Sequence, residues 1–193
     1  MRKATIERNT KETKIKLSIN LDGKGESNIK TGIEFFDHML TQIATHGLID
    51  IDLLADGDIN VDSHHTVEDV GICMGLALKE ALGNKKGIKR YGRSLVSMDE
   101  VLVLCSVDIS GRPYAAINTP FTVPNIGNFE TEMVKEFFVA MANNGDFCIH
   151  SLMLRNGNNH HMAEAIFKAF ARALMDAVTI DDRFGLPTSK GVL

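Results

Sequence analysis

The segment His64-His65-Thr66-Val67-Glu68 occurs a second time as His160-His161-Met162-Ala163-Glu164, roughly 96 positions further along the chain. The same shift places Ala77-Leu78 on Ala173-Leu174. Repetition at a fixed spacing indicates that the chain contains two copies of one structural unit. The doubled segment therefore predicts a duplicated fold, and the residues around it show what each unit contains.

Hydrophobic periodicity gives the same order of elements in both units. Alternating apolar residues predict strands, apolar residues at helical spacing predict helices, and Asp22-Gly23 and Ser110-Gly111 are turns toward return strands. The first unit is predicted to contain strands at 13–21 and 27–31, a helix at 33–46, a strand at 49–53 and a helix at 65–82. The second is predicted to contain strands at 101–109 and 114–118, a helix at 130–142, a strand at 147–154 and a helix at 160–178.

Two tandem β-β-α-β-α repeats give an α+β fold in which each sheet is covered on one face by helices. We expect halves of the ferredoxin-like or S5-like type. No Gly/Ser-rich or Pro-rich linker separates them. We therefore predict a single domain, 1–193, built of two duplicated halves at about 1–92 and 93–193.

Composition narrows the class of protein and its partners. The formal net charge of −4 provides no basic field for nucleic acid, and no apolar run reaches the roughly 20 residues that span a bilayer. Cys73, Cys105 and Cys148 are odd in number and widely spaced, which argues against a disulfide framework or a Cys-rich zinc site. We predict a cytoplasmic protein without nucleic-acid or membrane partners.

The doubled segment has the spacing of metal ligands. His64 and Glu68, four residues apart, share one helix face and can bind one cation; His160 and Glu164 repeat the arrangement. The second histidine of each doublet is turned by about 100° and is placed to reach a different ion. We therefore expect each metal to take a His-Glu pair from one repeat and a lone His from another.

The repeat adds one candidate ligand to each half. His38 lies on the first helix, and the register that aligns His46-Gly47 with Asn144-Gly145 places Glu136 opposite it. Mixed imidazole and carboxylate donors favour Mn, Fe, Co or Zn over Ca or Mg. Eight ligands for two metals leave open positions, which favours catalysis. The candidate metal ligands are His38, His64, His65, Glu68, Glu136, His160, His161 and Glu164.

Cationic residues near turns and ends are candidates for binding phosphate. They are Lys89-Arg90, Arg112, Lys168 and Ser189-Lys190-Gly191. Such groups bind phosphate through charge-assisted hydrogen bonds when they converge. Taken alone, each is more often a solvated surface charge, so the assignment depends on their convergence.

Three segments together resemble the signature segments of the imidazoleglycerol-phosphate dehydratase family: Gly32–Leu40, Asp62–Asp69 and Asn159–Leu174. The resemblance runs from about Arg8 to the Lys190-Gly191-Val192-Leu193 end. It implies a histidine-biosynthesis enzyme that dehydrates D-erythro-imidazoleglycerol phosphate to imidazole acetol phosphate. It also implies two manganese ions at each active site, at subunit interfaces of a homo-oligomer with twenty-four copies.

The resemblance also implies roles for individual residues. Seven of the eight candidate ligands match the family, whereas Glu136 stands where the family often has a histidine. Glu12 matches a substrate-contacting acid, and with Glu68 and Glu164 it is a candidate catalytic carboxylate. The predicted substrate-binding residues are Glu12, His38, Gln42, His46, Arg90, Arg112, Lys168, Ser189 and Lys190.

The chemistry of the implied reaction accounts for two metals. The proton to be removed lies on a carbon without an adjacent carbonyl, so an imidazolate held between two ions would act as the electron sink. Loss of hydroxide then gives a diazafulvene-like intermediate, with Glu12 as a candidate proton acceptor. Two alternatives share the ligands: a two-metal phosphate-ester hydrolase, and a metal-dependent assembly or storage protein.

Overall fold

A computed structural model describes residues 2–181, 183 and 185–191 of the chain. The family resemblance seen in the sequence extends to Val192-Leu193, and these two residues lie outside the described part of the chain. The elements are β1 (Lys3–Asn9), β2 (Thr13–Asn20), β3 (Ser27–Lys30), α1 (Glu34–Gly47), β4 (Asp50–Gly57), α2 (His64–Leu82), β5 (Tyr91–Met98), β6 (Val101–Asp108), β7 (Tyr114–Ile117), β8 (Asn125–Ile126), β9 (Phe129–Glu130), α3 (Met133–Gly145), β10 (Cys148–Arg155) and α4 (Asn159–Val178).

The predicted α+β class is confirmed by two four-stranded sheets with the same topology. Their strand orders are β1-β2-β4-β3 and β5-β6-β10-β7. Each half contains the predicted β-β-α-β-α order, preceded by one strand that the periodicity did not reveal. These two strands, β1 and β5, lie at sheet edges, where one side of the backbone has no neighbour.

The return strands pair differently from the prediction. We expected β3 to fold back on β2 and β7 on β6, but β3 pairs in parallel with β4, and β7 pairs in parallel with β10. The carboxylate of Asp50, at the start of β4, explains the first case. It accepts hydrogen bonds from the backbone N–H groups of Lys24, Gly25 and Glu26, so the chain after β2 crosses over to β4.

Helices from the two halves pack in pairs over the buried faces of the sheets. Helix α2 packs against α3, and α1 against α4. The α2–α3 contact is close, because a Cβ atom added to Gly75 would lie 2.4 Å from the carbonyl oxygen of Met141. One continuous hydrophobic cluster includes residues of both sheets and all four helices. Among the described residues, no helix is long and apolar enough to cross a membrane.

Each predicted helix differs from the observed one at a boundary, most of all the third, which ends at Gly145 rather than at Ala142. The third helix begins at Met133 rather than Glu130, because Phe129 and Glu130 pair with Asn125 and Ile126 in a short antiparallel ladder. The first helix includes Gly47, and Leu48 takes the left-handed conformation that follows it, with a φ of 53°.

Candidate metal centre and substrate site

Each histidine doublet lies at the start of a helix, where a side chain two residues earlier accepts from the backbone N–H of its first histidine. The Asp62 carboxylate accepts from the backbone N–H of His64 at 2.9 Å, and the Asn158 side-chain oxygen accepts from that of His160 at 2.9 Å. Asp62 and Asn158 occupy equivalent positions of the repeat. Because a cap satisfies N–H groups that have no partner within the helix, both doublets sit on fixed first turns.

One cluster of candidate ligands joins the two halves. In the α1–α4 cluster, the Glu164 Oε2 atom lies 3.1 Å from His160 Nε2 and 3.4 Å from His38 Nε2. One donor atom from each of the three residues lies within 4.8 Å of the others. His38 comes from the first half and the His-Glu pair from the second, so the helix pair α1–α4 assembles the group.

The Glu164 carboxylate of this cluster is buried, and positively charged or hydrogen-bonding side chains lie next to it. Burial acts to raise the pKa of Glu164, but a hydrogen bond and the charge of Lys168, with a further contribution from His38, outweigh it and lower the pKa below its ordinary value. The Lys168 ammonium lies 2.7 Å from Glu164 Oε1. Gln42 lies beside His38, with its Nε2 3.4 Å from the imidazole Nδ1. Glu164 is therefore an ionised carboxylate in contact with the Lys168 ammonium.

His46 lies one helical turn beyond Gln42, toward Lys168. Burial lowers the pKa of His46, and the charges of Lys168 and Arg172 lower it further. The imidazole is therefore neutral at neutral pH. The structure thus brings four of the predicted substrate-binding residues, His38, Gln42, His46 and Lys168, into one region beside Glu164.

The α2–α3 cluster, the equivalent set of predicted ligands His64, Glu68 and Glu136, is less closely assembled. His64 Nε2 lies 3.9 Å from Glu68 Oε2, and both side chains are more than two-fifths exposed. Glu136 lies half-buried on α3 and, within the described chain, makes no hydrogen bond or ion pair with either residue. The structure therefore brings together His64 and Glu68, but it does not join Glu136 to them.

The second histidine of each doublet faces two carboxylates. His65 Nδ1 lies 3.1 Å from Asp58 Oδ2, and its Nε2 lies 3.9 Å from Glu12 Oε1. The hydrogen bond to Asp58 is the main cause that raises the pKa of His65 above its ordinary value. The contact places Glu12, the predicted proton acceptor, beside a predicted ligand.

His161 repeats this environment in the second half. Its Nδ1 lies 3.0 Å from Glu100 Oε2, and its Nε2 lies 3.9 Å from Asp99 Oδ2. A hydrogen bond from the backbone N–H of Asn158 is the largest cause that lowers the pKa of Glu100 to about 2. Asp58, Asp99 and Glu100 were not among the site residues predicted from the sequence. Asp99 and Glu100 lie in the turn before β6, and Glu100 occupies the position of Glu12 in the repeat. This correspondence with Glu12 could have identified Glu100 from the sequence.

The remaining predicted phosphate ligands lie at the other end of the second sheet. The Arg90 guanidinium donates to Asp108 Oδ1 at 2.7 Å and to the carbonyl of Pro187 at 3.0 Å. Arg112 donates to the carbonyl of Ser110 at 3.3 Å, and Ser189 and Lys190 follow Pro187 in the tail. Strand β6 leads from the turn at Glu100 to Asp108, about 25 Å at the usual rise per residue.

Comparison with known proteins identifies the family. The sequence profile described as "Imidazoleglycerol-phosphate dehydratase" matches residues 31–174. The chain belongs to the imidazoleglycerol-phosphate dehydratase family. A dehydratase from Hydrogenovibrio crunogenus is 55% identical over 195 residues, which cover 100% of both chains. One from Clostridium botulinum is 56% identical over 191 residues, which cover 98% of this chain and 97% of the relative.

Two solved structures have the same fold. The imidazoleglycerol-phosphate dehydratase from Staphylococcus aureus superimposes with a TM-score of 0.85 at 40% identity, covering 93% of this chain and 99% of that one. A Pyrococcus furiosus member in complex with (S)-C348 gives a TM-score of 0.85 at 37% identity, covering 97% of this chain and 100% of that one. The activity of the chain is that of a hydro-lyase in histidine biosynthesis acting on a small-molecule substrate. The family is metal-dependent.

Proposed function

We propose that the chain dehydrates imidazoleglycerol phosphate at a site with two Mn²⁺ ions, and that the α1–α4 cluster holds one of them. The geometry of the donors supports this. Ligand atoms about 2.1 Å from one ion lie about 3.0–3.4 Å apart in octahedral or tetrahedral coordination. The Glu164 oxygen lies 3.1 Å and 3.4 Å from the His160 and His38 nitrogens. This agreement carries the proposal.

The α2–α3 cluster is proposed to bind the second ion through His64, Glu68 and Glu136. Packing of α3 against α2 in the same way as α1 against α4 supports the assignment. Mixed nitrogen and carboxylate donors suit Mn²⁺ better than Mg²⁺ or Ca²⁺.

A complete site is proposed to require several copies of the chain. His65 contacts Asp58 and His161 contacts Glu100, rather than the His-Glu pair on the same helix. Arg90 and Arg112 lie about a strand length from His161. One chain therefore presents separate parts of a site, and a homo-oligomer brings the missing ligands together. The twenty-four copies that the resemblance implies would satisfy this requirement.

The chain's own residues are proposed to bind and orient the substrate. Lys168, Arg90, Arg112, Ser189 and Lys190 bind its phosphate, which fixes the carbon chain relative to the imidazole ring. Gln42 and the neutral His46 line the region beside His38. When bound, the metals supply Lewis acidity that withdraws electrons from the ring.

Three carboxylates are proposed to have catalytic roles. Glu12, exposed in the turn between β1 and β2 and 3.9 Å from His65 Nε2, accepts the proton from the substrate carbon. Glu68 and Glu164 bind the metals, and the adjoining Lys168 ammonium favours the ionised form of Glu164.

Turnover by chelator-stripped protein tests the proposal. The assay follows both the ketone product and free phosphate, with and without added Mn²⁺. We expect added Mn²⁺ to restore formation of the ketone without release of phosphate. Release of phosphate would instead support a two-metal hydrolase. Tight metal binding without either product would support a metal-assembled or storage protein. The cytoplasmic location stays a prediction, which the three free cysteines favour.

A further inference from the structure

Both second histidines of the doublets have one ring nitrogen bound to a carboxylate. Asp58 lies 3.1 Å and 3.2 Å from His65 Nδ1 through its two oxygens, and Glu100 lies 3.0 Å from His161 Nδ1. An ionised carboxylate only accepts hydrogen bonds, so each Nδ1 carries the proton. Each Nε2 then presents a lone pair, which is the form of imidazole that binds a metal.

The two carboxylates come from different places in the fold. Asp58 follows β4, whereas Glu100 lies in the turn between β5 and β6. The strand register that places Cys148 opposite Asp50 places Asn156 opposite Asp58, and it places Glu12 opposite Glu100. Duplication alone therefore does not account for the shared contact. The two halves reach the same arrangement with different residues, which indicates a requirement at the histidines.

An ion bound directly by Asp99, Glu100 and His161 is the competing interpretation, because donor atoms of these three lie within 4.8 Å of one another. The contacts of Glu100 argue against it. Glu100 Oε1 already accepts from the backbone N–H of Asn158 at 2.6 Å, and Oε2 is the atom beside His161 Nδ1. Both oxygens therefore have hydrogen-bond donors as partners.

We propose that Asp58 and Glu100 are positioning residues that hold His65 and His161 in the Nδ1–H tautomer and aim Nε2 at the metal site. The inference rests on the proposed function, in which these histidines are metal ligands. A carboxylate on the far nitrogen of a ligating imidazole fixes the ring and increases its basicity as a ligand. Loss of such a partner weakens binding of the metal without removing a ligand.

Affinity for Mn²⁺, measured by calorimetry on the chelator-stripped, assembled protein, tests the role. Asp58→Ala should weaken binding about 10–100-fold. Asp58→Asn and Glu100→Gln should weaken it less, because an amide oxygen still accepts from Nδ1–H. The matched control is Asp52→Asn, which removes an exposed carboxylate of β4 that accepts from Asn28 and contacts no histidine. Its affinity should equal that of the unmodified chain.

A second readout separates positioning from a general structural role. With Co²⁺ as the probe, the visible absorption of Asp58→Asn should shift relative to the unmodified protein, because the ligand field reports the basicity of the imidazole. The thermal midpoint of the metal-free variant should match that of Asp52→Asn. Unchanged affinity and spectrum in the Asp58 and Glu100 variants would overturn the inference alone. Absence of Mn²⁺ binding by the unmodified chain would overturn the proposed function together with it.

Discussion

The α1–α4 and α2–α3 clusters are two versions of one arrangement. In the first, Glu164 lies within 3.4 Å of two imidazoles and its side chain is 9% exposed. In the second, Glu68 lies 3.9 Å from His64 and its side chain is 47% exposed. Lys168 accounts for part of the difference, because its ammonium contacts Glu164, whereas the equivalent position on α2 is Ile72.

The comparison shows how duplication can yield two different sites. Both clusters keep the His-Glu pair, but only one has an adjoining cation that can bind phosphate. The repeat thus supplies two sets of proposed metal ligands, and among the described residues Lys168 adjoins only one of them. The proposed pair of metals is therefore chemically unequal, with one ion nearer to the charge of Lys168.

The largest expected effect comes from Glu164→Gln. Turnover should fall by about 10²–10⁴-fold, because a proposed metal ligand and candidate catalytic carboxylate is lost. Glu68→Gln is the matched variant in the other cluster and should lose activity to a similar degree. The thermal midpoint of the metal-free protein should decrease only for Glu164→Gln, which leaves Lys168 without its partner. Equal thermal midpoints for the two variants would show that the contact between Lys168 and Glu164 does not distinguish the stability of the two clusters.

The second prediction concerns the close contact between α2 and α3. Gly75→Ala should lower the free energy of unfolding by about 1–3 kcal/mol, because the added methyl meets the backbone at Met141. The equivalent residue of α4 is already alanine, Ala171. Denaturant unfolding measures the effect, and Gly185→Ala, with open space around the added Cβ, is the control. An unchanged free energy of unfolding for Gly75→Ala would show that α2 and α3 can move apart without loss of stability.

The third prediction is that acid weakens a stabilising contact in the first half that the second half lacks. Hydrogen bonds from the backbone of Lys24 and from Asn20 are the main causes that lower the pKa of Asp50, whereas Cys148 is its counterpart in the second sheet. Because the folded pKa is below the unfolded value, this stabilisation is present above about pH 3.9 and is lost as the pH falls through the folded pKa.

Asp50→Asn should therefore cost about 1–2 kcal/mol of unfolding free energy at neutral pH, and the cost should disappear as the pH falls below the folded pKa of Asp50. Chemical denaturation of the metal-free protein across this range measures the difference. Asp52→Asn, which loses one exposed side-chain hydrogen bond, is the control. A cost that stays constant with pH would contradict the assignment to the ionised carboxylate.

The smallest expected effect comes from Glu136→His, which restores the residue that the family often has. An imidazole is a softer donor than a carboxylate, so affinity for Co²⁺ should rise relative to Mn²⁺ by less than about tenfold. Competition between the two metals measures the ratio, and Glu132→His, one helical turn earlier, is the control. An identical ratio in both variants would indicate that Glu136 does not bind the second ion.

The sequence predicted the elements whose periodicity is strong and local. Buried positions alternate along β2 and β4, and both were predicted. In β5, Gly92 packs closely against the carbonyl of Ala173 and contributes no apolar side chain, so the strand has a weak pattern. The parallel pairing of β3 with β4 joins segments that are separated by a helix in the chain, which local periodicity does not reveal.

For the site, spacing on one helix was informative and contacts between distant segments were not. The four-residue separation of His160 and Glu164 is visible in the sequence, and α4 brings them within 3.1 Å. The contact between Glu100 and His161 joins residues 61 positions apart. Only the fold reveals it, because the turn that carries Glu100 precedes β6 and meets the start of α4 in space.

The separation of Arg90 and Arg112 from the histidine clusters along β6 has a genetic consequence. If each catalytic centre takes these parts from different copies, two inactive alleles can restore each other. Co-expression of Arg112→Gln with Glu164→Gln should produce mixed particles in which some centres receive only intact parts. A histidine auxotroph would then grow with both alleles and with neither alone.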